Sequence, residues 1–214
     1  MSLVEWCEAK ASRYDYTLLV SEFTNSISNS AFFVAASYSS DQYPTSNLAI
    51  RMVGLGSFIF HATESHIGQL MDEVPMSLLA WSYFVNLVTL AKYNHATRAN
   101  VVYACFMTTV WYAYIQYKQY LVFVSFFVFQ ICIPIYILCF RIHKTQRQMR
   151  SLRTSSRYLV LSVGCWLYER HLYSTNRCPV DLYDPRYYLH SYWHIGMACA
   201  HYHFMNCISQ QTII

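Results

Sequence analysis

Acidic residues are missing from the middle of this chain: between Glu73 and Glu169 there is no aspartate or glutamate. That segment is long enough for about three crossings of a bilayer, and no soluble domain of ordinary composition leaves so long a stretch without a carboxylate. Charge of either sign is scarce, at 12% of 214 residues against 55% hydrophobic and 18% aromatic residues, which excludes an ordinary water-exposed surface. The opening Met1-Ser-Leu-Val-Glu-Trp lacks both a basic n-region and an apolar h-region, so no cleaved signal peptide is expected and insertion falls to the helices themselves. Internal repeats and low-complexity tracts are absent too. The formal net charge of +4 does not read as nucleic-acid binding, because the basic residues concentrate at Arg141, Lys144, Arg147, Arg150 and Arg153, directly after an apolar run. There they face anionic lipid headgroups on the cytoplasmic side.

What the chain does have is a series of apolar runs, at roughly 26–38, 48–63, 74–91, 100–117, 119–140, 158–172 and 191–208. They predict an all-α integral membrane protein, one seven-transmembrane helix bundle over residues 1–214. An N-terminal segment 1–25 would lie in the lumen, the bundle would span 26–208, and a short tail 209–214 would be cytoplasmic. With the basic cluster in the cytoplasm the N-terminus is lumenal or extracellular, and the other basic residues are biased the same way. Twenty tyrosines read as interfacial belt and bundle packing. Most of the eight cysteines lie in apolar runs as small buried hydrophobes. Cys7 and Cys178, both lumenal in this topology, are the pair placed for a disulfide.

Chemistry concentrates in two motifs. His190 and His194 are four apart on a helix, the spacing at which two imidazoles chelate one metal, although with nine histidines in 214 residues one such pair carries little weight alone. The stretch Gly54-Leu-Gly-Ser57-Phe-Ile-Phe-His61 adds a third imidazole, with Ser57 one helical turn before it and two glycines that permit close helix approach. Three neutral imidazoles leave the fourth position of a zinc ion open for water. Asp72, in Gln69-Leu-Met-Asp72-Glu73-Val-Pro75-Met, is the natural proton acceptor and donor, or else a cap for a helix starting near Pro75. In the seven-span topology all these groups meet at the lumenal face. His201 and His203 lie deeper; His201 reads as a hydrogen-bonding residue of the bundle, and His66, His95, His143 and His171 as interfacial.

The run Gly-Leu-Gly-Ser-Phe-Ile-Phe-His-Ala-Thr, with Gln-Leu-Met-Asp-Glu-Val-Pro-Met and the late His190-Ser-Tyr-Trp-His194, resembles the signature of the alkaline ceramidases. Glu5-Trp6-Cys7-Glu8 with Ser21-Glu22-Phe23-Thr24-Asn25 resembles their N-terminus, and Trp166-Leu-Tyr-Glu169-Arg170 a Trp-x-x-Asp-Arg element of their sixth span. The resemblance implies a seven-helix enzyme of the endoplasmic reticulum or Golgi membrane. Its substrate would be ceramide or a related sphingolipid, cleaved at the amide to a sphingoid base and a fatty acid. Zinc would be held by His61, His190 and His194, with Asp72 shuttling the proton and Ser57 helping to hold the oxyanion. It also implies a calcium site at Glu5, Trp6, Glu8 and Glu22, although Lys10 stands where an asparagine ligand is expected, and an ammonium cannot ligate calcium.

Three other readings stay open on the residues alone: a receptor-like or lipid-remodelling relative of the same wider superfamily, an ion path through the bundle, and a catalytically degenerate homologue. Histidines gathered at one depth argue against a path, which needs polar groups at several depths.

Overall fold

A computed structural model of the chain describes residues 3, 6–8, 20–140, 146–179 and 184–210. Regular structure among them is helical throughout: α1 (Phe23–Ser28), α2 (Ser30–Tyr38), α3 (Pro44–Thr63), α4 (His66–Leu90), α5 (Ala96–Tyr117), α6 (Tyr120–Phe140), α7 (Gln146–Ser174) and α8 (Leu189–Ser209). A short 3-10 turn, Pro185–Tyr188, leads into α8. Glu5, Lys10, Arg141 and Lys144 lie outside the described residues.

Each of the seven apolar runs is helical over nearly all of its length, and several helices begin well before their run. Helix α4 starts at His66, not near residue 74, because Ser65 caps it: its hydroxyl accepts from the Gly68 N–H at 2.9 Å. Asp72 therefore sits inside this helix and is not its cap. Helix α7 likewise starts at Gln146, carrying Arg150, Arg153 and Arg157 on its first turns. The first run is broken at Asn29 into α1 and α2.

The main packing pairs are α3 with α4 and α7 with α8, while α2 and the short α1 lie across both α3 and α8. Helix α6 joins through α4, and α5 is peripheral. Alongside apolar core clusters, several carboxylates lie inside and many large apolar side chains outside. Glu8, Glu22, Glu73 and Glu169 are all 1–3% exposed, whereas Val102, Leu121, Val160 and Leu161 are 65–72% exposed. Water would reverse that arrangement, since buried carboxylates are costly and exposed apolar side chains gain nothing. Among the described residues one helix, α6, holds a window long and apolar enough by itself to cross a bilayer, Tyr120–Ile137 with a mean hydropathy of 2.2.

One contact sets the register of α3 against α4. Pro75 has no N–H to donate, so the carbonyl of Met71, four residues earlier, lacks its usual intrahelical partner. Gly56 of α3 lies against that same carbonyl, and a Cβ built on Gly56 would collide with it. The glycine thus lets two backbones meet where the proline has freed an acceptor, and it brings Ser57 alongside Asp72.

A buried imidazole cluster with its own supports

Helices α3 and α8 deliver three imidazoles to one point. The candidate ligand nitrogens of His61, His190 and His194 lie within 4.8 Å of one another, and all three residues are buried. Ring centroids are 4.8 Å apart for His61 and His190, 5.1 Å for His61 and His194, and 4.7 Å for His190 and His194. Among the described residues this is the one group of its kind.

Each ring is held by its Nδ1. The Glu22 carboxylate contacts Nδ1 of His61. Nδ1 of His190 lies 3.1 Å from Oε2 of Glu169, and Nδ1 of His194 lies 2.7 Å from the Ser28 hydroxyl. Nε2 meets no carboxylate in either His61 or His194. Nε2 of His61 is buried without any hydrogen-bond partner, and Nε2 of His194 is 3.4 Å from the Ser57 hydroxyl. A cage of imidazoles with occupied outer nitrogens and an orphaned inner one fits a bound metal ion, because outer hydrogen bonds fix the tautomer that presents a lone pair.

The supports are themselves anchored. The N–H groups of Ser21 and Glu22 donate to the carbonyls of Ala62 and His61 at 3.1 and 3.0 Å, using acceptors that the last turn of α3 leaves free. Glu22 thus grips His61 through backbone and side chain together. Glu169 accepts from the Cys7 N–H at 3.2 Å through its other oxygen. Cys7 is joined to Cys178 by a disulfide, with Cα atoms 5.2 Å apart. Trp6 lies over His190 at 3.9 Å between centroids.

Two of the residues that the resemblance implies for calcium also make contacts within the protein. Both oxygens of Glu8 cap the start of α1, accepting from the Thr24 N–H at 2.7 Å, the Thr24 hydroxyl at 2.6 Å and the Asn25 N–H at 2.9 Å. Burial nonetheless pushes the Glu8 carboxyl above its ordinary value. Glu22 holds His61 and accepts from the Asn25 amide at 3.2 Å. Two supports were not assigned to the imidazoles from the sequence: Ser28, for which no local signal exists, and Glu169, visible in the Trp-x-x-Asp-Arg-like element and as the first acid after a long acid-free stretch.

Ser57 and the half-buried Asp72 stand side by side at the edge of the cluster, where Asp72 is also within electrostatic reach of His61. Both line a cavity of about 400 Å³ together with His190 and His194. Its walls are otherwise largely apolar, with Phe32, Met76, Phe127 and Met197 among them. Imidazoles, a carboxylate and a hydroxyl at one end of an apolar cavity form a site for polar chemistry on an apolar molecule.

Comparison with known proteins gives the family of the chain. The family model described as "Ceramidase" matches residues 1–213. Alkaline ceramidase 1 of Homo sapiens is 28% identical over 211 residues, covering 91% of this chain and 76% of that protein. Alkaline ceramidase 3 of Mus musculus is 30% identical over 132 residues, covering 55% of this chain and 47% of that protein. Alkaline ceramidase YPC1 of Saccharomyces cerevisiae is 32% identical over 84 residues, 35% of this chain and 26% of that protein.

Proposed function

Since this chain belongs to the ceramidase family, we propose that it is a zinc-dependent amidase that cleaves ceramide within a membrane to a sphingoid base and a free fatty acid. The observation that carries the reading is the set of three imidazoles whose Nδ1 atoms are all engaged, by Glu22, Glu169 and Ser28, beside Ser57 and Asp72 in the wall of an apolar cavity.

His61, His190 and His194 would hold the ion through Nε2, a nitrogen donor set that suits zinc. When bound, zinc supplies a Lewis acid that polarises the amide carbonyl and makes a water a better nucleophile. Asp72 takes the proton of the attacking water and returns it to the leaving amine, so that neither a strong base nor an alkyl amide anion has to form. Ser57, directed towards the cluster, donates to the oxygen on which charge develops. The apolar walls accept the chains and keep bulk water away from the reacting amide.

The bundle is read as seven membrane spans, with α1 and α2 together forming the first. The N-terminus and the imidazole cluster lie at the lumenal face, the C-terminus in the cytoplasm, and the whole in the endoplasmic reticulum or Golgi membrane. The outward apolar side chains and inward carboxylates support a lipid surround. A calcium ion at Glu5, Trp6, Glu8 and Glu22 stays part of the proposal, with Glu8 also capping α1 and Glu22 also holding His61.

Fatty-acid release from a panel of ceramides, at about pH 8 to 9, well above the ordinary carboxylate range, tests the reading. Activity is expected in the parent and absent both in His194→Ala and after zinc chelation. Stoichiometric zinc with no release from any ceramide would overturn the amidase and leave a receptor-like or degenerate member of the family.

A further inference from the structure

About two helical turns beyond His194, some 10 Å further along α8 at 1.5 Å per residue, a second polar pair faces the same cavity. Tyr83 of α4 and His201 of α8 both line it. The Tyr83 hydroxyl meets Nδ1 of His201 at 2.6 Å, and the rings are 5.9 Å apart, so the contact is a hydrogen bond and not a stack. His201 is 3% exposed, and its Nε2 has no hydrogen-bond partner. Around the pair the cavity is lined by Leu79, Met197 and Phe204. The imidazole cluster does not use these two residues, and a buried nitrogen left without a hydrogen bond is costly.

The chemistry of the missing partner follows from the two possible tautomers. If the phenol donates to Nδ1, Nε2 carries the proton and needs an acceptor. If Nδ1–H donates to the phenol oxygen, Nε2 is an acceptor and needs a donor. A hydroxyl answers both demands; a carbonyl answers only the first and an ammonium only the second.

We infer that Tyr83 and His201 form a subsite for a hydroxyl carried in the interior of a lipid chain, so that the cavity prefers a mid-chain hydroxylated occupant over a plain one. The assignment of that chain to a ceramide rests on the amidase reading, but the subsite itself does not. The hydroxyls that flank the amide of a ceramide lie only a few bonds from it, so with the amide at the imidazole cluster they would fall short of this pair.

Two measurements test it. The first compares hydrolysis of ceramides bearing octadecanoyl, 2-hydroxyoctadecanoyl and 10-hydroxyoctadecanoyl chains. The second measures binding of the corresponding free acids to the purified full-length protein by displacement of a fluorescent fatty acid, which needs no turnover. One good hydrogen bond predicts a preference of about tenfold for the 10-hydroxy compound in both. His201→Leu should bring the ratio to about one, Tyr83→Phe should reduce it, and His201→Gln, which keeps a hydrogen-bonding amide, should retain part of it. Equal binding of plain and 10-hydroxy acids by the parent would mean that a trapped water meets Nε2, and would overturn the subsite. So would an equal gain from the 2-hydroxy compound, or a preference that survives His201→Leu. Preference in binding with no hydrolysis of any ceramide would sink the amidase reading and leave the subsite standing.

Discussion

Glu169 shows how much of the centre depends on single carboxylates that are not part of the cavity wall. Its two oxygens join the Cys7 N–H to Nδ1 of His190, so it orients one imidazole and ties the N-terminal segment to α7. Glu169→Gln or Glu22→Gln is expected to weaken zinc affinity by about 10–100-fold, measured by competition with a chromogenic chelator. Ser28→Ala should cost less, because a neutral hydroxyl is a weaker partner than a carboxylate. An unchanged affinity in Glu169→Gln would show that the His190 contact is incidental. Glu8 gives a pH signature outside the spans. Burial raises its carboxyl above 4.5, so the folded protein holds this proton after the unfolded chain has released it. Stability must then fall as pH rises from 4.5 towards the raised value. Glu8→Gln is expected to flatten that slope in thermal unfolding, and a slope identical to the parent's would refute the assignment.

At the scale of elements, the α3–α4 pair decides whether Ser57 and Asp72 face each other. Gly56 and Pro75 act together there, the one removing a Cβ and the other freeing the Met71 carbonyl. Gly56→Ala must push the helices apart, so a fall of at least tenfold in hydrolysis and a lower apparent Tm are expected. Gly164 is the control: a Cβ there meets nothing within 4 Å, and Gly164→Ala in the helix should leave activity alone and add up to about 1 kcal/mol of stability. If the two variants behave alike, close approach is not what the Gly56 position requires.

For the molecule as a whole, the Cys7–Cys178 disulfide closes a loop with a sequence separation of 171 residues and holds the N-terminal segment against Glu169. Cys178→Ser is expected to cost about 2–5 kcal/mol of stability. It should also lower zinc affinity, because Cys7 is the donor that positions Glu169. Melting curves with and without reductant check the first effect, and a parent insensitive to reductant would count against it. The topology can be tested separately: a glycosylation acceptor placed at the N-terminus should be modified and one at the C-terminus should not.

Composition and motif alone determined the helical class, the seven apolar runs, the family resemblance and the three histidines. Each of these depends on residue type and short spacing: an acid-free stretch, a period of helix, an i, i+4 pair. What only the tertiary structure decided was the use of the carboxylates. Glu8 and Glu22, implied as calcium ligands by the family resemblance, also cap α1 and grip His61, because which group meets a buried N–H or imidazole depends on how α1 lies across α3 and α8. Ser28 lies 166 residues from His194 and Glu169 lies 162 from Cys7, separations at which no local pattern carries information. The same holds for Tyr83 and His201, 118 residues apart, whose meeting follows from the packing of α4 and α8 round one cavity. Hydrophobic periodicity says that a helix is buried, but the partner of each buried polar atom is fixed only when the helices dock, since an unpaired one would cost more than the contact gains.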